Sequence, residues 1–287
     1  MATDGPGFAA AKVNLTLHVT GQRADGYHEL DSLVVFAGVG DHITASPAPD
    51  LRLWVSGPKA AGIPTDASNL VLRAATALNP TGTAALRLDK HLPMAAGIGG
   101  GSSDAAAALR VLALFWARPL PPPDQVLALG ADVPVCLARR AARMSGIGDR
   151  LAPVPPLPRG WLVLANPGAA ISTPDIFRTM SERQNPGMAY HLPPWENAAD
   201  LAGWLAHQRN DLQAPAMALE PAIGVVLQAL SAQSGCLFAR MSGSGATCFG
   251  LFDSFARATA ATTALRRAAP GWWVARGEIL QAPPWRA

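Results

Sequence analysis

The sequence predicts an α+β protein in two halves, and three observations carry that expectation. Apolar and polar residues alternate with a period of two in several short runs, the mark of strands. Other stretches are Ala/Leu-rich and long enough for helices, yet strands and helices do not alternate in a strict βα order. A Pro-rich stretch, 153–158, divides the 287 residues, so the expected halves are 1–153 and 154–287. Hydrophobic residues make up 49% and charged residues 15%, which leaves ample material for a core and excludes a disordered chain.

The first strand is expected over 11–19, where Val13, Leu15, Leu17 and Val19 alternate with Lys12, Asn14, Thr16 and His18. Lys12 and Asn14 then share the face turned away from the core. Gly21 and Asp25-Gly26 make a turn, and Tyr27-His28 lead into a second strand over 30–36. After a loop at Pro47, Pro49 and Asp50, the run 51–55 alternates again. Ser68-Asn69 open a helix to about Leu78, stopped by Asn79-Pro80. A strand over 84–88 leads into Lys90-His91-Leu92-Pro93. A Gly-rich loop follows and runs into a helix to about Ala117, its start marked by Ser102, Ser103 and Asp104, residue types preferred at a helix cap and first turn. Pro119 and Pro121 to Pro123 break it, and Asp124 caps a short helix that stops at Gly130. Beyond the Pro-rich stretch, 161–165 is a buried strand, 198–207 and 215–232 are helical, and a Gly turn at Ser242-Gly243-Ser244-Gly245 flows into a strand.

Charge and cysteine usage exclude several classes. The net charge is +3. The basic residues are scattered, with no stripe carrying interleaved aromatics, so no nucleic-acid partner is expected. They comprise 20 Arg and only three Lys: Lys12, Lys59 and Lys90. No apolar run approaches a membrane span of about 20 residues, and no Lys or Arg precedes Lys12 as a signal peptide would require. Cys136, Cys236 and Cys248 show no metal-site spacing and read as reduced thiols of a cytoplasmic protein.

The chemistry centres on Pro93-Met94-Ala95-Ala96-Gly97-Ile98-Gly99-Gly100-Gly101-Ser102-Ser103. Glycines leading into a helix N-terminus let backbone N–H groups converge on a phosphate without obstruction from side chains. The common nucleotide loops do not fit. The chain contains no Gly-Lys pair, which a P-loop needs, and Ser102 stands where a dinucleotide fingerprint requires its third glycine.

This loop resembles the second motif of the GHMP kinases (galactokinase, homoserine, mevalonate and phosphomevalonate kinases). Further stretches extend the resemblance: Ala11-Lys12-Val13-Asn14-Leu15, Gly21 to Leu30 with Tyr27-His28, Gly130-Ala131-Asp132-Val133-Pro134, and Met241 to Ala246. They are similar to the branch whose acceptor is a cytidyl diphosphate-methylerythritol, in non-mevalonate isoprenoid synthesis. The resemblance implies a two-domain fold with the active site in the cleft between the domains.

It also implies Asp132 as the base for the acceptor hydroxyl and Lys12 as the cation that neutralises developing charge. ATP, with Mg2+, is expected on the residues from Pro93 to Ser103 together with Asn69 and Lys90, and Ser103 is the candidate metal ligand. The acceptor substrate is assigned to Asn14, Tyr27, His28, Thr173, Phe177, Gly243 and Ser244. Tyr27 and Phe177 would clamp the cytosine while His28 bonds its edge. The segment 179–196 matches nothing specific. A small-molecule substrate is expected, with neither nucleic acid nor membrane as partner, and a monomer or weak homodimer.

The residues themselves leave plainer roles open. An Asp before Val-Pro ordinarily serves a turn or a cap, and a strand lysine is ordinarily solvated. Two other functions also stay open on the sequence: a GHMP kinase for a simpler alcohol such as homoserine or mevalonate, and a non-catalytic nucleotide-binding regulator.

Overall fold

The computed structural model describes residues 5–281, so the outer ends of the expected halves, 1–4 and 282–287, lie outside the described residues. The first sheet contains β1 (Phe8–Asn14), β2 (His18–Gln22), β3 (His28–Ser46), β4 (Leu51–Ser56), β5 (Ala84–Asp89), β6 (Ala142–Gly146) and β7 (Arg150–Ala152). Its order is β4-β5-β3-β6-β7, and β1 and β2 also pair with β3. The long β3 is therefore the spine: it receives β2 at its start, β1 along its middle and β5 at its end. Helices α1 (Leu70–Leu78), α2 (Gly100–Phe115), α3 (Pro123–Leu129) and α4 (Val133–Ala138) belong to this half.

The second sheet holds β8 (Trp161–Asn166), β9 (Phe238–Met241), β10 (Cys248–Phe252) and β11 (Trp273–Glu278), in the antiparallel order β11-β8-β10-β9. With it come α5 (Thr173–Thr179), α6 (Ala198–Ala206), α7 (Gln213–Leu219), α8 (Ala222–Ser231) and α9 (Phe255–Ala268). None of the helices among the described residues is long and apolar enough to cross a membrane.

The two-residue period of β3 sorts its side chains between two cores. Val34 and Phe36 pack with α1, α2 and α4. Leu33, Val35 and Ala37 pack with Ala11, Val13 and Leu15 and with Leu162, Leu164 and Phe249 of the second sheet. A third cluster lies beyond the second sheet, against α8 and α9. The halves thus share a core, and Leu280 N also donates to Phe36 O (2.8 Å).

Three expectations change. The run 11–19 is not one half-buried strand: β1 is buried on both faces throughout, and the chain leaves the ladder at Leu15–Leu17 before β2 begins. There Thr16 Oγ1 accepts from Leu33 N (2.8 Å), so a side chain replaces a ladder bond. The helix at 215–232 is two helices, α7 and α8, parted at Glu220-Pro221 because proline cannot donate the next helical bond. Finally, α2 starts at Gly100 with Gly99 as its N-cap, so none of Ser102, Ser103 and Asp104 is the cap, while Ser102 falls in the first turn as expected.

Candidate active site

The Gly-rich loop is built around β1. Lys12 N donates to Ile98 O (3.0 Å), joining the strand to the loop. Gly99 has φ +63°, and a Cβ there would stand 3.1 Å from Lys12 Cβ. Gly97 has φ +71°, and a Cβ there would run into the carbonyl oxygen of Ser242. Both positions therefore need glycine for conformation and for space. Since Gly99 has no side chain to cap the helix, the first N–H groups of α2, at Gly100, Gly101 and Ser102, are left facing the cleft for an anion.

The second half closes over this loop. Ser242 Oγ donates to Gly97 O (2.9 Å) and accepts from Asn14 N (3.1 Å). Thr247 N donates to Ala96 O (3.2 Å). Across the same cleft Thr173 Oγ1 and Ser244 Oγ share a hydrogen bond of 2.8 Å.

In this cleft Lys12 Nζ lies 2.8 Å from Asp132 Oδ1, with the lysine side chain 6% and the aspartate 33% exposed. Asp132 is the N-cap residue of α4, yet its carboxylate makes no capping hydrogen bond. It is aimed at Lys12 instead, so the plainer role of a cap does not apply. Asn14 Nδ2 donates to Ser32 Oγ (2.7 Å), which fixes the amide. Its Oδ1 is buried without a partner, beside Gly243. A buried acceptor left unpaired costs stability, and a donor on a bound alcohol would satisfy it.

Three cavities adjoin one another. The central cleft of about 380 Å³ is lined by Lys12, Asn14, Ala95, Ala96, Gly97, Gly99, Gly100, Gly101, Ser102, Asp132, Thr173, Phe177, Gly243 and Ser244, among others. On one side it shares Leu70, Ala95 and Gly101 with a cavity of about 340 Å³ that Asn69, Lys90 and Met94 also line. On the other it shares Leu30, Thr173 and Phe177 with a cavity of about 660 Å³ that contains Tyr27 and His28.

Several expected residues are placed differently. The Lys90 ammonium is 3% exposed and held by Asp41 Oδ2 (2.5 Å) and Asp104 Oδ2 (2.6 Å), so it is not free for a phosphate. Burial alone would lower its pKa, but the Asp104 and Asp41 charges outweigh it and raise the value. Ser103 Oγ is turned into the protein, donating to Ala10 O (2.7 Å), and is therefore no metal ligand. Pro93 lines neither the cleft nor the cavity beside it, and the Ile98 side chain lies in the core between the sheets. Asn69 caps α1, accepting from Val71 N (2.9 Å).

At the other end, Tyr27 is 62% exposed on the rim. Phe177 does not stand open as one half of a sandwich. It stacks on His28, with ring centroids 4.0 Å apart and planes 12° from parallel. His28 Nε2 is buried and unpaired. Burial, and then the Arg183 charge, lower the His28 pKa, which keeps the imidazole neutral.

Sequence reasoning missed the residues that hold these groups. Asp41 and Asp104 around Lys90, and Ser32 behind Asn14, contribute through contacts made far along the chain. Only Asp104, directly after Ser102-Ser103, had a local signal. A divalent cation fits poorly on the protein alone. Asp132 is the one carboxylate among the described residues lining the cleft, and no group of three or more His, Cys, Asp or Glu among the described residues could hold a metal.

The family model described as GHMP kinases N terminal domain matches residues 69–151, and that described as GHMP kinases C terminal matches 188–271. The chain is 59% identical over 268 residues to a 4-diphosphocytidyl-2-C-methyl-D-erythritol kinase of Cereibacter sphaeroides, covering 93% of this chain and 96% of the relative. To the protein of that name from Ruegeria pomeroyi it is 55% identical over 275 residues, covering 95% and 98%. A solved structure of 4-(cytidine 5'-diphospho)-2C-methyl-D-erythritol kinase matches with a TM-score of 0.76 at 34% identity, over 95% of this chain and 98% of that one. The structure of homoserine kinase from Cytophaga hutchinsonii shares the fold, with a TM-score of 0.62 at 16% identity over 96% and 93% of the two chains.

Proposed function

The chain belongs to the GHMP kinases, and from that premise we propose that it transfers the γ-phosphoryl group of ATP to 4-diphosphocytidyl-2-C-methyl-D-erythritol. The acceptor is the substrate's 2-hydroxyl, and the products are the 2-phosphate and ADP. The reaction is a step in isoprenoid precursor synthesis by the non-mevalonate route. The observation that carries this reading is the Lys12–Asp132 pair at 2.8 Å, set between the phosphate loop and the cavity of Tyr27 and His28.

The mechanism follows from that placement. Phosphoryl transfer passes through a loose transition state, so the protein supplies position and charge rather than covalent chemistry. The N–H groups at the start of α2 receive the ATP phosphates. Asp132 accepts the proton of the acceptor hydroxyl as the new O–P bond forms, Lys12 balances charge on the oxygens beside it, and Asn14 Oδ1 orients the substrate by accepting from another of its hydroxyls. Magnesium carried in with ATP would supply positive charge against the phosphates; among the described residues of the cleft only the Asp132 carboxylate could help hold it, so no step is assigned to it.

The cytidyl end is read by Tyr27, His28 and Phe177. The nucleoside lies in the cavity of about 660 Å³, and the adenosine lies in the cavity beside Asn69. We take the site to lie between the halves 1–153 and 154–287. The three free cysteines suit a reducing cytoplasm, and the chain is read as acting alone or as a weak homodimer. The second reading, a kinase for a simple alcohol, leaves the Tyr27–His28 cavity without an occupant. An ADP-release assay across the cytidyl substrate, homoserine and mevalonate separates the two. Turnover of either simple alcohol without turnover of the cytidyl compound would reject our assignment.

A further inference from the structure

The cavity of about 660 Å³ has two walls from different halves of the protein. One is the turn between β2 and β3, which carries Tyr27, together with His28 at the start of β3. The other is α5, which carries Phe177. We propose that Arg183 is a positioning residue that ties these two walls together and so sets the recognition of the cytosine base. The proposal rests on reading this cavity as the cytidyl site.

A short chain of hydrogen bonds makes the link. Gln22 Nε2 donates to Gly26 O in the turn (3.3 Å). Arg183 Nη1 donates to Gln22 Oε1 (3.2 Å), and its Nη2 donates to Phe177 O (3.4 Å). A planar guanidinium can serve two acceptors in different directions at once, which the single ammonium of lysine does poorly. Arg183 itself is held at a fixed place, because the segment after it is bonded to the first sheet. Asn185 N donates to Val19 O (3.0 Å), and Met188 N donates to Asp31 Oδ2 (2.7 Å).

Charge points the same way. The other charged side chains lining the cavity are Asp25 and Arg178. Asp25 pairs with Arg23 (3.1 Å) and Arg178 with Asp175. Arg183 forms no ion pair with a carboxylate among the described residues, so its charge acts on the neighbouring His28, adding to the effect of burial. The segment 179–196 that carried no motif thus holds a residue that organises the substrate end.

Steady-state kinetics in the ADP-release assay test this with three variants. Arg183→Met is expected to raise KM for the cytidyl substrate about tenfold while kcat and KM for ATP change less than about twofold. Gln22→Leu breaks the same link without touching Arg183 and is expected to give the same KM rise, which keeps the test decisive should Arg183→Met fold poorly. Arg183→Lys keeps the charge and should recover only part of the loss. Full recovery by lysine would overturn the bridging role. So would an unchanged cytidyl KM in the other two variants, or an equal rise in KM for ATP. Wild-type turnover with unaltered variants removes Arg183 alone, whereas a wild type that ignores the cytidyl substrate removes the function assigned above and this role with it.

Discussion

Lys12 and Asp132 meet because β1 ends beside the turn that opens α4, and because the Asp132 carboxylate is not used as a cap. A general base contributes about 10²–10⁴-fold to such a reaction. Asp132→Asn should therefore lower kcat by about that factor while both substrates still bind, as checked by steady-state kinetics and calorimetry; near-normal kcat would remove Asp132 from the role. Tyr27 stands exposed at the rim of the cavity proposed for the cytosine. Stacking on a base is worth about 1–3 kcal/mol, so Tyr27→Ala should raise KM for the cytidyl substrate by about 10–100-fold and spare ATP. A defect on the ATP side instead would show that the residue serves the other ligand. His28 gives a pH signature. Its ordinary pKa of 6.5 is lowered by burial and by Arg183, so it should take up its proton only at more acid pH. In a pH profile of kcat/KM, any limb due to His28, identified by its loss in His28→Gln, should lie below pH 6.5. A His28-dependent fall beginning above that value would contradict a neutral, base-reading imidazole.

The start of α2 and the buried Lys90 cluster are the elements that shape the end of the cleft proposed for the nucleotide. Lys90 binds Asp41 of β3 to Asp104 of α2, and Asp41 Oδ1 also accepts from the backbone N–H groups of His91 and Leu92 (2.5 and 2.8 Å). The cluster pins the chain that enters the phosphate loop. Lys90→Met would leave two buried carboxylates without their cation. Loss of one partner from a buried pair costs about 3–5 kcal/mol, so denaturant unfolding should show a loss of that order; a change under about 1 kcal/mol would show the cluster to be dispensable. This element also shows where sequence reading ran out. The glycine pattern, the Lys12 and Asp132 segments and the strands at 51–55 and 84–88 were legible, because local spacing carries them. The partners of Lys90 were not, since Asp41 lies 49 positions away. The break after β1 was hidden because side-chain alternation records which way residues face, not whether the backbone ladder continues. The stacking of Phe177 on His28 likewise depends on two distant segments meeting.

At the scale of the whole molecule, the two sheets enclose one core. Leu33 and Val35 from β3 pack with Leu162, Leu164 and Phe249, and the loop at Ser242 grips Gly97. A shared core couples the unfolding of its two sides. Tryptophan fluorescence and far-UV circular dichroism should therefore follow one coincident transition, and two separated transitions would show independent halves. Of the three lysines in a chain that otherwise uses arginine, Lys12 faces the cleft, while Lys90 proves to be a buried brace rather than a phosphate ligand. The shared core also fixes the Gly-rich loop, the Lys12–Asp132 pair and the cavity of Tyr27 and His28 to one packed unit. Their joint purpose is tested most directly by ADP release from ATP with 4-diphosphocytidyl-2-C-methyl-D-erythritol, run beside homoserine and mevalonate. Phosphorylation of the cytidyl compound at its 2-hydroxyl, abolished or nearly so by Asp132→Asn, is the predicted result. No ADP release with that compound, or undiminished release in the variant, would contradict it.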